Sequence, residues 1–177
     1  ETSGRGDRVI VVGAHLDSVA EGPGINDNGS GTAGILEIAV QMAKLGIKPR
    51  NRVRFAFWGA EESGLFGSQY YVQTLTDAQY AGIWLNLNFD MIASPNFARF
   101  IYDGNGDAFG TAGPPGSDTI EAVFESYFGR NKLATEPTAF DGRSDYFDFI
   151  NAGIPAGGLF TGAEEIKTAE QVKAFCK

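Results

Sequence analysis

One histidine and one cysteine are all that 177 residues contain of the two most versatile metal-binding side chains. A single Cys excludes an internal disulfide framework and any Cys-based zinc ribbon. A single His excludes a site that draws two imidazoles from this chain. Cations are also scarce, with 14 Lys and Arg against 22 Asp and Glu, a net charge of −8. That balance excludes a sequence-blind nucleic-acid binder, which needs a basic face to neutralise phosphates. It argues equally against docking on an anionic membrane surface. No apolar run reaches the ~18 residues of a membrane span. The polar stretch Glu1–Asp7 has no signal-peptide hydrophobic region. Within it, Arg5-Gly6-Asp7 spells a cell-adhesion tripeptide, a spelling that arises by chance in polar segments and carries no weight here.

What is present is a globular composition, 43% hydrophobic and 20% charged, with 24 glycines. The length suits one domain, 1–177. Val9–Val12 is a short β-branched apolar run ending at Gly13, which reads as a buried parallel strand. A Gly-, Asn- and Asp-rich loop from Asp17 to Ser30 follows. Ser30 is then the expected N-cap of a helix to about Leu45, with Ile35, Ile38, Met42 and Leu45 as its apolar stripe and Gly46 as its stop. Further strands are expected at Arg52–Trp58, Ile83–Phe89, Arg99–Tyr102 and Ala156–Phe160. Helices are expected at Ser68–Leu75, Ser117–Phe128, Ser144–Asn151 and from Lys167 to the end, where Cys176 falls in the last turn. Thr76 to Gln79 has the capping-box pattern. Alternating short apolar strands and helices predict a three-layer αβα sandwich with a mostly parallel central sheet. In such sheets ligands gather at the carboxyl ends of strands.

Those ends carry the polar residues. The first strand runs into His15 and Asp17, and the next loop holds Asp27. The second strand runs into Glu61 and Glu62, and the third into Asp90. Carboxylates brought together repel, and their desolvation is costly, unless protons or cations compensate. A divalent metal is the natural compensation. One His with Asp and Glu oxygens suits zinc, or less selectively manganese or cobalt. The charges fit two ions, with Asp27 bridging, His15 and Asp90 on one ion and Glu62 on the other. Glu61 is left beside the metals to take a proton from metal-bound water and deliver it to a leaving amine. Asp17 can hold the free nitrogen of His15 and set its tautomer. Taken singly, a lone His is usually structural and a Glu-Glu pair usually solvated surface. Their common placement at successive strand ends is what gives them meaning.

Four segments make the pattern specific: Gly13-Ala14-His15-Leu16-Asp17-Ser18, Gly24 to Gly31 around Asp27 and Asn28, Phe57 to Ser68 around Glu61 and Glu62, and Asn88-Phe89-Asp90-Met91. Together they resemble the co-catalytic dizinc aminopeptidases of peptidase family M28, most nearly the secreted bacterial leucine-aminopeptidase-like members, over about Val9 to Thr168. The resemblance implies a zinc-exopeptidase fold and hydrolysis of the N-terminal peptide bond by metal-bound hydroxide, preferring large apolar first residues. It implies His15, Asp27, Glu62 and Asp90 as metal ligands, Glu61 as general base and Asp17 behind His15. Phe140 to Asp145 resembles the segment whose Arg holds substrate, which makes Arg143 a candidate. Met91 and Phe160 match positions lining the first side-chain pocket, although plain core packing is the commoner role of such residues. The sequon at Asn28-Gly29-Ser30 lies inside the metal loop and reads as architecture. The partner implied is a peptide with a free N-terminus, and the location is extracellular by resemblance alone.

The chain departs from that family in lacking a second His ligand and a neighbouring Tyr. It reads as a core shortened at both ends and missing flanking elements. The expectation is one well-held zinc and a weak or absent second one, with a companion segment or an oligomer as the remedy for exposed sheet edges. Two other readings stand beside the peptidase. One is a shortened, inactive module binding one ion. The other is a single-zinc enzyme that cyclises N-terminal glutamine.

Overall fold

A computed structural model describes residues 1–175. In chain order the elements are β1 (Arg5–His15), α1 (Gly29–Lys44), β2 (Asn51–Trp58), α2 (Phe66–Gln73), α3 (Asp77–Gly82) and β3 (Ile83–Phe89). Then follow β4 (Phe100–Tyr102), α4 (Ser117–Arg130), β5 (Glu136–Thr138), α5 (Tyr146–Asn151), β6 (Ala156–Phe160) and α6 (Ala169–Phe175). The sheet order is β2-β1-β3-β6-β4-β5. All neighbouring pairs are parallel except β4 with β6, which run antiparallel.

The period of two along β1 divides the core. Val9 and Val11 pack with Trp58, Ile83, Phe149 and Ile154, under Tyr71 and Val72 of α2. Val12 and Ala14 point to the opposite face and pack with Ile35 of α1, Phe89 and Phe124 of α4. A strand covered on both faces has no polar side to show, which is why its sequence reads as one apolar run. The result is the expected αβα sandwich, mostly parallel.

Several boundaries differ from expectation. β1 begins at Arg5, four residues before the apolar run, because Arg5 pairs with Asn51 while its side chain stays in solvent. α1 is capped by Asn28, whose Oδ1 accepts from the Gly31 N–H at 2.9 Å. Ser30, the expected cap, instead donates its hydroxyl to the Asn26 carbonyl and accepts from the Ile92 N–H. Of the expected stripe on α1, Ile35 is buried, but Ile38 and Leu45 are 46% and 71% exposed. Met42 is half-buried and lines a cavity with Phe55 of β2, so the stripe is covered most fully at Ile35 and only partly beyond it. β5 escapes sequence reading because it has three residues with Pro137 at its centre, tolerable only on a sheet edge. The capping box at Thr76 and Gln79 is present. Cys176 lies outside the described residues. No helix among the described residues is long and apolar enough to cross a membrane.

Two close approaches fix the loops over the sheet end. A Cβ on Gly31 would lie 2.1 Å from the Phe89 carbonyl oxygen, so glycine lets α1 start against the end of β3. A Cβ on Gly67 would lie 2.5 Å from the Gly59 oxygen, so α2 starts against the turn after β2. The Asp27 loop and the Glu61 turn are thereby brought beside Asp90.

Candidate metal centre and the adjoining cavity

β1, β2 and β3 deliver their last residues to one edge. His15 is the final residue of β1 and is 1% exposed. Its Nδ1 lies 3.0 Å from the Asp17 carbonyl oxygen. A carbonyl only accepts, so Nδ1 carries the proton and Nε2 is left with its lone pair in the neutral ring. That Nε2 faces Asp27 Oδ1 at 3.1 Å and Asp90 Oδ1 at 3.2 Å. Glu61 Oε2 stands 3.9 Å away. A lone pair turned on two carboxylate oxygens is repulsive, and a single proton on Nε2 serves two acceptors poorly. A divalent cation satisfies all three groups together, and an imidazole nitrogen with carboxylate oxygens is a donor set for zinc. The ligand atoms of His15, Asp27 and Asp90 all lie within 4.8 Å of one another. The residues present therefore fit a metal ion.

Glu62 stands outside that tight group. One of its oxygens is buried without a hydrogen-bond partner. Burial raises its pKa first, and the neighbouring Asp27 charge adds to it. Asp17 acts differently from expectation. Its carboxylate is 3.6 Å from His15 Nδ1, too far for a hydrogen bond, and the backbone carbonyl takes that role. The carboxylate accepts from the backbone N–H groups of Glu61 and Glu62 at 3.1 and 3.2 Å. Asp17 thus ties the β1 loop to the glutamate turn.

Burial and like charge set the protonation. Desolvation lifts Glu61 to about 8, with the charges of Asp90, Asp145 and Glu62 adding and His15 opposing. For His15 desolvation acts downward, yet Asp27 and Asp90 outweigh it and raise the imidazole to about 11.

Sequence reading missed the support behind these groups. Asn28 donates to the Phe89 carbonyl at 3.0 Å and accepts from the Gly31 and Met91 N–H groups, pinning the Asp27 loop to the end of β3. The Asp27–Asn28 peptide is cis. Asn88 donates to the Ser144 hydroxyl at 2.8 Å, and that hydroxyl donates to Asp90 Oδ2 at 2.6 Å. The available signal is the alternation Asn86, Asn88, Asp90 in an otherwise apolar strand, which puts three polar side chains on one buried face. Asp145 is 1% exposed, and neither of its oxygens has a hydrogen bond of good geometry. Desolvation raises it to about 7; the Ser68 hydroxyl and His15 oppose this, while Asp90 and Asp17 add to it.

Ala60 and Met91 have φ of +58° and +50°, a left-handed conformation unusual for residues with a side chain. Each adjoins a site carboxylate, Glu61 and Asp90. Backbone strain held at such positions clusters at functional sites. The carboxylates open on a cavity of about 380 Å³, whose lining includes Met91, Arg143 and Phe160 with Asp27, Glu61, Glu62 and Asp90. Arg143 lies on its rim, exposed, with its guanidinium 2.9 Å from Glu164. The nine residues singled out from sequence thus surround one cavity or stand directly behind it.

A three-layer α/β protein with a lone imidazole and carboxylates at parallel-strand ends, beside a partly apolar cavity, belongs to the class of metallohydrolase-like sandwiches. Comparison with known proteins narrows the class. The model of "Peptidase family M28" matches residues 1–172, and the chain belongs to that family. It is 58% identical over 172 residues to an "Aminopeptidase" of Pseudomonas aeruginosa, covering 97% of this chain and 32% of that protein. It is 56% identical over 177 residues to "Leucine aminopeptidase 2" of Trichophyton equinum, covering 99% of this chain and 35% of the relative. The chain thus spans about a third of the length of these curated relatives. Among solved structures it is similar to BSAP, a zinc aminopeptidase from Bacillus subtilis, with a TM-score of 0.74 and 27% identity. That likeness covers 95% of this chain and 41% of the other.

Proposed function

We propose that residues 1–177 form the core domain of a zinc-dependent aminopeptidase that removes N-terminal residues, large apolar ones preferentially, from peptides with a free amino end. The observation that carries this reading is the meeting of His15 Nε2 with oxygens of Asp27 and Asp90, beside Glu61 and at the mouth of the cavity. The names of the relatives support it, and so does the likeness to a zinc aminopeptidase of Bacillus subtilis. An extracellular location belongs to the same reading.

His15, Asp27 and Asp90 would hold one cation, and Asp27 with Glu62 a second, less completely. Bound zinc supplies Lewis-acid polarisation of the scissile carbonyl and lowers the pKa of water to near neutrality. Glu61 takes the proton of the attacking water on its carboxylate and passes it to the departing amine nitrogen. Asp17 keeps the glutamate turn in register for that transfer. Glu61 and Asp90 also present oxygens to the substrate's free ammonium group. Met91 and Phe160 offer hydrocarbon to the first side chain, and Arg143 stands at the rim to hold the peptide beyond it.

The test is zinc content together with hydrolysis of leucine p-nitroanilide by the protein and its Glu61→Gln variant. The variant should keep its zinc and lose roughly 10²–10⁴-fold in rate, the usual contribution of a general acid–base group. Undiminished turnover by the variant removes Glu61 from the mechanism. One zinc with no hydrolysis by the unaltered protein supports an inactive metal-binding module instead.

A further inference from the structure

The cavity wall carries two carboxylates that the proposed reaction leaves unused, Asp141 and Glu165, and of these Asp141 is anchored to a buried ring. Asp141 is part of the lining that also contains Leu65, Met91 and Phe160. Its Oδ1 accepts from the Tyr146 hydroxyl at 2.9 Å and from the Arg143 backbone N–H at 3.0 Å. Tyr146 is 1% exposed and packed against the rings of Tyr102 and Phe140. The anchor is therefore rigid, and it fixes Asp141 through one oxygen only. Both of these bonds go to Oδ1, the residue is exposed, and the charge of Arg143 is felt at the carboxylate without an ion pair between them. Arg143, the nearest cation along the chain, is engaged by Glu164 at 2.9 Å.

We infer that Asp141 is a specificity residue that lets the pocket accept, beside apolar first residues, those bearing a cation at the end of an aliphatic stem, lysine or arginine. The inference rests on the aminopeptidase reading and extends it. Lysine and arginine are amphipathic: methylenes suit apolar walls, while the charged head needs a polar partner. Met91 and Phe160 supply hydrocarbon for the stem, and Asp141 Oδ2 an acceptor for the head. A charge-assisted hydrogen bond to a pre-oriented carboxylate is stronger than a neutral one, and little ordering remains to be done on binding. Leucine uses the same walls and leaves Asp141 to water. The pocket is thus built for both kinds of side chain, with Asp141 setting their ratio.

The experiment compares kcat/KM for lysine and leucine p-nitroanilides with the zinc-loaded protein and its Asp141→Asn variant. Asparagine keeps an oxygen for the Tyr146 hydroxyl and the Arg143 N–H, so the loop retains its anchor while the charge is gone. The lysine-to-leucine ratio should fall about tenfold, which is about 1.4 kcal/mol of discrimination. In the unaltered protein the same ratio should fall as salt is raised, because the pair lies near solvent. A ratio unchanged by the substitution, or both rates falling by one factor, overturns the inference and leaves Asp141 a loop anchor. Leucine turnover without lysine turnover in the unaltered protein overturns it too, with the aminopeptidase reading intact. Failure on both substrates by zinc-loaded protein rejects the two together. Should the variant not fold, competitive inhibition of the unaltered protein by free lysine and free leucine gives the ratio directly. Equal inhibition, insensitive to salt, is then the overturning result.

Discussion

The Ser144 hydroxyl donates to Asp90 Oδ2 at 2.6 Å, and so decides which oxygen of Asp90 faces His15. Oδ1 is left 3.2 Å from the imidazole Nε2. Asn88, on β3 two residues before Asp90, donates to Ser144 in turn. Partners that orient a ligand in this way typically change metal affinity 10–100-fold when removed. Ser144→Ala should therefore weaken zinc binding by about that factor, read by competition with a chromophoric chelator. The rate at saturating zinc should fall less than the affinity does. Affinity equal to that of the unaltered protein would show that Asp90 is oriented by the backbone alone.

Metal binding and pH should be coupled in a definite direction. In the metal-free protein Glu61 and Asp145 are raised to about 8 and about 7. Ordinary values for these carboxyls are about 4.3 and 3.9. Between the unfolded and folded values the native state binds more protons than the unfolded one, so stability falls as pH rises. His15, raised to about 11, acts in the same direction. Its contribution is complete below about 6.5 and is lost as pH climbs through the folded value. All three groups thus make the metal-free protein weaker from mildly acid to alkaline pH. A cation held by His15 would displace the imidazole proton and by its charge ease ionisation of the neighbouring Glu61 and Asp145, so its stabilising effect should grow over the same span. The measurement is Tm with excess chelator and with zinc, at about pH 5 and about pH 8. A zinc-induced rise in Tm that is the same at both pH values contradicts the assignment.

Much of the site can be read from the sequence because its donors follow apolar runs. His15 ends one, Glu61 and Glu62 follow another, and Asp90 follows a third. In a parallel sheet strand ends share an edge, so order along the chain becomes proximity in space. The supporting shell cannot be read this way. Asn28 and Ser30 are equally good cap residues by type, and the choice between them depends on where the Phe89 carbonyl lies. Spacing puts the Asp17 carboxylate behind His15, yet the Asp17 carbonyl does that work, because spacing does not tell main chain from side chain. The antiparallel pairing of β4 with β6 leaves no trace in periodicity, since direction changes neither burial nor alternation.

Asn28 joins three polar groups at the hinge between α1 and β3. It is 1% exposed, so removing its amide strands the Phe89 carbonyl and two N–H groups in a dry place. Leaving a buried group unpaired costs about 1–3 kcal/mol. Asn28→Ala should destabilise the zinc-loaded protein by about 2 kcal/mol or more, read from urea unfolding. Asn28→Asp supplies the acceptor oxygen but no donor for the carbonyl, and should be intermediate. If alanine unfolds at the same urea concentration as asparagine, the three bonds add nothing to stability.

Two glycines separate steric need from mere preference for small residues. At Gly31 an added Cβ would meet the Phe89 carbonyl oxygen at 2.1 Å and Asn28 Oδ1 at 2.3 Å. Both are held in place, one by the sheet and the other by its hydrogen bonds, so the start of α1 must move. That movement carries the Asp27 loop away from Asp90 and widens the group of donors facing His15. Gly31→Ala should therefore lose zinc affinity and stability together. At Gly129, near the end of α4, nothing lies within 4 Å of an added Cβ. Alanine there should stabilise the helix by about 0.5–1 kcal/mol through its better helix propensity. Zinc titration and urea unfolding of the two variants side by side give opposite signs if the close approach of α1 to β3 sets the site. Matching, small effects at both positions would mean that the α1 start can shift without disturbing the donors.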